Sequence, residues 1–450
     1  MFWIIDTDEA LEYLVHKTIQ EAFIEIIPYH DHIHPALNGL SLVYIRPFND
    51  TKGYMLCIDH SETFSLNKTT IDGVLRKINK VWVRDKKTAL YYFQIKQLYD
   101  LSILSPTYIQ SDTAAHNHFY NYHKSYPKVN KLIPLSKHYE KCEHIYQQVH
   151  SVIPNELPSY FDFYNNKVVL AFFGIEKNGL KIDKYELDKH YELNNEFYSI
   201  QGDRIYTSYN LATTTRRPSN SFNGINFAAL NKENGSRRSF ISSHGFIEFD
   251  ISAYHPTIVG RLLAYDFSDA DVHQTFADLY QTSYKEAKEI TFKQLYGGVF
   301  KEYEHLEFFQ KVKEFVTINW ETFNNSGQVI VPVSGYCFEK SNWNEFNNTG
   351  QVTVPISGYV FEKDKLENMN PQKLFNYMLQ NIESAINASI LMDIHKLLRG
   401  KKTKIVLYTY DSFLFEVGED DIENEIKQIF DKYKLTTKTS YGKTYDFTGE

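Results

Sequence analysis

Residues Phe246–Pro256 read FIEFDISAYHP, and residues Lys404–Val417 read KIVLYTYDSFLFEV. Asp250 stands at the end of an apolar strand-like run, and Asp411 stands at the turn between two such runs. An ionised carboxylate in these surroundings is costly unless it is paired or holds a cation. Taken singly, either aspartate reads better as a turn or cap residue. Taken together, two carboxylates on adjacent strand ends are the simplest way to hold two divalent cations against a triphosphate, which is what nucleotidyl transfer needs.

Between these segments lies Tyr284–Gly298, YKEAKEITFKQLYGG. Lys288, Phe292 and Tyr296 recur at i, i+4 and i+8, so on a helix they form one stripe. Gly297 and Gly298 then end that helix. Alone, such a stripe is an ordinary amphipathic core face. Ordered between the two aspartates, it offers a lysine for a triphosphate and rings to cover base and sugar.

In this order, residues 203–415 resemble the DNA polymerase I family. Asp250 with ISAYHP is similar to the family's first palm motif, Lys288-x3-Phe292-x3-Tyr296-Gly297 to its fingers-helix motif, and Tyr410-Asp411 to its second palm motif. Upstream, Gly202–Asn226 (GDRIYTSYNLATTTRRPSNSFNGIN) resembles the primer-template segment, with Arg217, Asn223 and Asn226 at the minor-groove positions. Downstream, Asn376-x3-Gln380 in LFNYMLQNIESAINA resembles the palm helix that contacts the template. The resemblance implies an α+β multidomain chain. It would have a right-hand polymerase palm on an antiparallel sheet and helical fingers, preceded by an α/β ribonuclease H-like exonuclease-type domain. The implied divisions are 1–125 exonuclease-like, 126–202 a helical connector with a vestigial thumb, 203–265 palm, 266–320 fingers, and 321–450 palm again.

The implied activity is template-directed DNA synthesis on a primer 3'-hydroxyl, with primer-template DNA and deoxynucleoside triphosphates as partners. Asp250, Asp411 and the carbonyl of Ile251 would bind two magnesium ions, for which manganese can substitute. Lys288 would stabilise the phosphates, Phe292 and Tyr296 would stack over the nascent pair, and phenylalanine at 292 implies poor use of dideoxynucleotides. Arg217, Asn223 and Asn226 would read minor-groove acceptors common to every correct pair.

A fainter likeness covers the N-terminal part. Val169–Tyr191, with Glu176, Gly179 and Asp183, is similar to the segment joining exonuclease and thumb. Only about a dozen residues then separate Tyr191 from Arg204, so the thumb should be nearly absent, with a partner needed for processivity. Leu37–Ile45 and Gln110–Asn121 resemble a strand and a later helix of the proofreading domain. Its opening strand reads Phe23-Ile24-Glu25-Ile26-Ile27, which leaves Glu25 where two acids are expected, so metal binding there should fail; Asp112 matches a structural position. Tyr29–His34 (YHDHIH) is either a transition-metal loop or a solvated polar loop.

Three departures from the family pattern bear on chemistry. His255 stands where a glutamate normally packs on the motif tyrosine to exclude a ribose 2'-hydroxyl; it is bulky and can hydrogen-bond Tyr296, so DNA remains the expected product. Ser412 replaces the auxiliary acid after the second aspartate. Tyr284 replaces an arginine one turn before Lys288, with Lys285 as the expected stand-in.

Composition sets the remaining bounds. The formal charge of −8 and pI of about 6.1 exclude a globally basic nucleic-acid binder, so a DNA site must be a local groove. Cys57, Cys142 and Cys337 are too few and too dispersed for a disulfide framework or zinc knuckle, which fits a reducing cytoplasm. The acidic start and the lack of an apolar run of about 18 residues predict a soluble chain with no membrane partner. Frequent Lys, Asn, Ile and Tyr suggest an AT-rich source such as a phage, acting in a bacterial host cytoplasm. Phe323–Lys340 returns as Phe346–Lys363, and each copy reads as one β-hairpin. Two other readings stay open: a catalytically impaired DNA-binding or replisome scaffold, and a ribonucleotide-tolerant, primase-like polymerase.

Overall fold

The computed structural model describes residues 2–31, 33–104, 129–191, 200–222, 225–267, 271–330 and 359–447. The chain divides into two compact units. One comprises Met1–Phe161, Phe172–Ala212 and Asn220–Phe240; the other comprises Asp162–Ala171, Thr213–Ser219 and Ile241–Glu450.

The first unit is built on a six-stranded mixed sheet in the order Trp3–Ile5, Tyr54–Cys57, Leu40–Pro47, Glu21–Pro28, Lys80–Val83, Leu98–Asp100. The middle strands pair antiparallel and the outer ones join parallel. Leu40–Pro47 is buried at every position, Ser41 and Arg46 included, so its apolar residues do not alternate with exposed polar ones. Leu11, Leu14, Ile71, Leu75 and Ala89 from flanking helices complete the core against Ile24, Val43 and Val81. Helix Lys86–Tyr92 ends at an extended Phe93, and Leu98–Asp100 is an edge strand. Helix Lys184–Asp188 is capped by Asp183, whose carboxylate accepts from the Tyr185 and Glu186 amides.

A buried ion pair ties this unit together. The Lys87 ammonium donates to the Glu176 carboxylate and to the Tyr209 carbonyl, and the Tyr209 amide donates to Glu176 at 2.6 Å. Both side chains are almost fully buried, so each charge depends on the other.

The second unit holds a four-stranded antiparallel sheet in the order Lys404–Thr409, Ser412–Glu416, Ile241–Ile251, Thr437–Thr444. This bears out the expected α+β architecture. Strand Ile241–Ile251 puts Phe246, Glu248 and Asp250 on one face and Ile247, Phe249 and Ile251 on the other. Phe249 stacks on Phe430 of helix Glu423–Lys432 and meets Phe415 edge-on, which anchors the sheet to its helical layer. Helix Pro371–Leu397 also packs in that layer, against Tyr254–Leu262 and Glu423–Lys432. Helices Val272–Tyr280 and Tyr284–Gly297 pack on one another, and Glu307–Ser326 runs past residue 320 before ending at left-handed Gly327.

At the described ends of the duplicated segment, Gln328–Ile330 of the first copy pairs antiparallel with Val360–Glu362 of the second. Phe323–Ser326, at the start of the first copy, finishes helix Glu307–Ser326. Residues 331–358, with Cys337, lie outside the described residues, as do Asp112 and the segment 192–199 of the expected thumb. No helix among the described residues is long and apolar enough to cross a membrane.

Lys87→Ala strands Glu176 without its counter-charge and should lower unfolding free energy by roughly 3–5 kcal/mol, whereas Lys87→Met combined with Glu176→Leu should recover most of it. Urea denaturation of the three proteins measures the difference.

Candidate active site

The two aspartates are brought together by strand pairing. Asp250 lies opposite Ser412 in the sheet, and the Ile251 amide donates to the Asp411 carbonyl at 2.8 Å, so the end of the long strand is tied to the hairpin turn. That turn has two residues, Tyr410 and Asp411, between paired Thr409 and Ser412, and Tyr410 adopts a left-handed φ of 66°. A tyrosine held there stores strain that neighbours must offset. Asn387, fully buried on the long helix, does so. Its amide donates to the Tyr410 carbonyl at 2.8 Å and to the Tyr408 hydroxyl at 2.7 Å, and its carbonyl accepts from the Tyr254 hydroxyl at 2.7 Å.

Helix Tyr284–Gly297 begins with a capping box from Ser283 and Glu286. Its stripe of Lys288, Phe292 and Tyr296 faces the same cavity as Asp250 and Asp411, and the Phe292 and Tyr296 rings stack at 5.7 Å with planes 14° apart. Arg217, Ile251 and His255 also line this cavity. Thus eight of the residues singled out from the sequence converge in one place.

The others lie elsewhere. Lys285 is exposed and does not line the cavity; the second cation is Lys438, which faces Asp250 from the neighbouring strand and lies 6.0 Å from the Tyr284 ring. One residue along the helix from Tyr284, the Lys285 side chain is turned about 100° from that cavity-lining ring. Asn376 donates to the Tyr296 carbonyl at 3.1 Å, and Gln380 accepts from the Thr215 hydroxyl at 3.0 Å, so both brace the cavity wall. Asn226 is exposed on a two-residue strand of the first unit, and Asn223 lies outside the described residues.

Sequence reasoning missed Glu383, Asn387, Lys438, His273 and Glu248. Asn376, Gln380, Glu383 and Asn387 follow an i, i+4, i+7, i+11 spacing, a polar stripe at helical period that was a readable signal. Glu248 shares a strand face with Asp250, and Ser412 donates its hydroxyl to it, so an acid stands beside position 412 although that residue is a serine. His273 packs between Tyr284 and Phe292, and burial, aided by Lys288, lowers its pKa to about 4, which keeps it neutral.

The electrostatics favour a cation. Asp411 is exposed at the turn, yet partial desolvation and the nearby Asp250 raise its pKa to about 6. Two carboxylates that resist joint ionisation are the donor set a divalent cation relieves. Among the described residues no group of three or more His, Cys, Asp or Glu is spaced to hold a metal, so the remaining ligands here would be backbone, water or phosphate oxygens.

In the first unit, the position expected for a proofreading acid is occupied by an internal ion pair. Glu25 is buried and receives Arg84 through both Nε and a terminal nitrogen. The loop Tyr29–His34 is likewise structural where it is described: His34 is buried, with Nε2 3.1 Å from the Thr207 carbonyl and Nδ1 accepting from the Ala36 amide, and burial lowers its pKa to about 4. Asp31 accepts from Asn130, and His32 lies outside the described residues.

The fold has a counterpart among solved structures. Among solved structures the chain is similar to the POL domain of Pol1 from M. smegmatis in complex with DNA primer-template and dNTP, with a TM-score of 0.67 over 100% of both chains and 11% sequence identity. At that identity the likeness is one of fold. No protein-family model and no curated protein matches the chain.

The raised Asp411 pKa has a pH consequence. The folded carboxyl keeps its proton up to about pH 6 and the unfolded one loses it near 3.8, so metal-free stability falls as pH rises through that window. Asp411→Asn removes the penalty. The metal-free variant should therefore melt above the wild type at neutral pH, by on the order of 1 kcal/mol after screening at an exposed residue, and the two curves should converge below about pH 4. Calorimetry in chelator across pH checks this.

Proposed function

We propose that this chain is a template-directed DNA polymerase that adds deoxynucleotides to a primer 3'-hydroxyl and does not proofread. The observation that carries this reading is the convergence of Asp250, Asp411, Lys288, Phe292, Tyr296 and Arg217 on one cavity. Asp250 and Asp411, with the Ile251 carbonyl, would hold two magnesium ions, which supply charge neutralisation and an acidified primer hydroxyl. Lys288, reinforced by Lys438 in place of Lys285, neutralises the triphosphate. The stacked Phe292 and Tyr296 rings form a platform for the nascent pair, and Phe292 makes dideoxynucleotides poor substrates. Arg217 reaches minor-groove acceptors and checks pair geometry without sequence preference.

Asn376 and Gln380 act on the template side through the wall they brace, and Asn223 and Asn226 contact minor-groove acceptors, as the resemblance implies. The functional division follows the resemblance: exonuclease-like 1–125, connector 126–202, palm 203–265 and 321–450, fingers 266–320. The Glu25–Arg84 pair supports loss of proofreading, because a carboxylate committed to an internal guanidinium is a poor metal ligand. With so short a span where a thumb would be, a processivity partner takes over the grip on duplex. The work is cytoplasmic, in a bacterial cell if the gene is phage-borne.

Primer extension on a recessed template with magnesium and four deoxynucleotides tests the proposal. Wild type should extend in template order, Asp411→Ala should lose at least about 10³-fold, and no primer shortening should appear without nucleotides. If neither protein extends with magnesium or manganese while both retain DNA in a gel shift, the scaffold reading replaces this one.

A further inference from the structure

Glu383 is 99% buried on helix Pro371–Leu397, and its Oε2 lies 2.8 Å from His255 Nε2 and 3.1 Å from Arg217 Nε. On the other side of the imidazole, His255 Nδ1 is 2.6 Å from the Tyr296 hydroxyl. An ionised carboxylate only accepts hydrogen bonds, so the Nε2 atom must carry the proton. A neutral imidazole has one N–H, which leaves Nδ1 as acceptor and obliges the Tyr296 hydroxyl to donate to it. The Glu383–His255–Tyr296 chain therefore runs in one direction, and Arg217, stacked 3.6 Å over the Tyr410 ring, supplies the counter-charge that lets Glu383 stay ionised when buried.

We propose that Glu383 is a positioning residue for sugar selectivity, acting through His255: the acid absent from position 255 is supplied by the long helix, with the imidazole as the bridge. This rests on the polymerase reading above. Tyr296 is the last aromatic residue of its helix before Gly297 and Gly298; its ring stacks on Phe292, and the bond to His255 fixes its hydroxyl end over the cavity. Held there, the ring and imidazole together leave no room for a ribose 2'-hydroxyl. Released, Tyr296 swings and a ribonucleoside triphosphate fits. The selectivity is thus set by a hydrogen bond two side chains away from the sugar.

The test measures the ratio of kcat/KM for a deoxynucleoside triphosphate to that for its ribonucleotide counterpart. Glu383→Ala removes a buried charge-assisted hydrogen bond and should lower that ratio roughly 10- to 100-fold. Glu383→Gln keeps an acceptor for Nε2–H and should retain most of the selectivity. Adding His255→Ala to Glu383→Ala should lower the ratio no further than His255→Ala alone. Imidazole nitrogen NMR gives a readout independent of turnover: His255 should be the Nε2–H tautomer in wild type and Glu383→Gln, and a tautomer mixture in Glu383→Ala. An unchanged ratio in Glu383→Ala beside a lowered one in His255→Ala, or equal losses for Gln and Ala at 383, overturns the proposal with the polymerase reading intact. If wild type extends a primer with neither sugar, both fall.

Discussion

The second unit is organised by the need to hold two like charges side by side at the end of a sheet. Asp250 and Asp411 come from strands far apart in sequence, and only the antiparallel register opposing Asp250 to Ser412 makes them neighbours. Bringing them together raises the Asp411 pKa and requires a strained two-residue turn with Tyr410 in the left-handed region. Asn387 offsets that strain with three hydrogen bonds that also join the turn to Tyr254 and Tyr408. The long helix that carries Asn387 carries Glu383 one turn earlier, so the scaffold that pins the carboxylate turn also holds His255 and Arg217.

The cavity gathers charges of both signs beside an aromatic pair. Lys288 comes from helix Tyr284–Gly297 and Lys438 from the edge strand, where it pairs with Asp250; Asp411 and the stacked rings of Phe292 and Tyr296 line the same cavity. A chain of net charge −8 can thus carry a locally cationic cleft, because electrostatic focusing depends on which groups share a cleft and not on the total. In the first unit the opposite has happened: Glu25 and Arg84 satisfy each other, and Lys87 with Glu176 does the same, so charges there serve the fold.

Much of the site was legible because its parts obey short-range periodicities. The Lys288, Phe292, Tyr296 stripe is a helical spacing, the strand runs around Asp250 and Asp411 are a β spacing, and both formed as expected. Lys285 does not line the cavity, while Lys438, 153 residues further on, does and is delivered there by strand pairing, which local spacing does not reveal. At the described ends of the duplicated segment the pairing likewise runs across copies.

By itself the sequence determined the element types, the order of the motifs and the identity of the residues able to bind cations, since these depend on local patterning and side-chain chemistry. Tertiary structure alone decided which charges neutralise which. That Glu25 belongs to Arg84, that Ser412 leans on Glu248, and that His255 bridges Tyr296 to Glu383 are facts of register and helix packing. Electrostatic and hydrogen-bond energies fall off over a few ångströms, and such distances between residues far apart in the chain are set only when the sheet and its helices close around them.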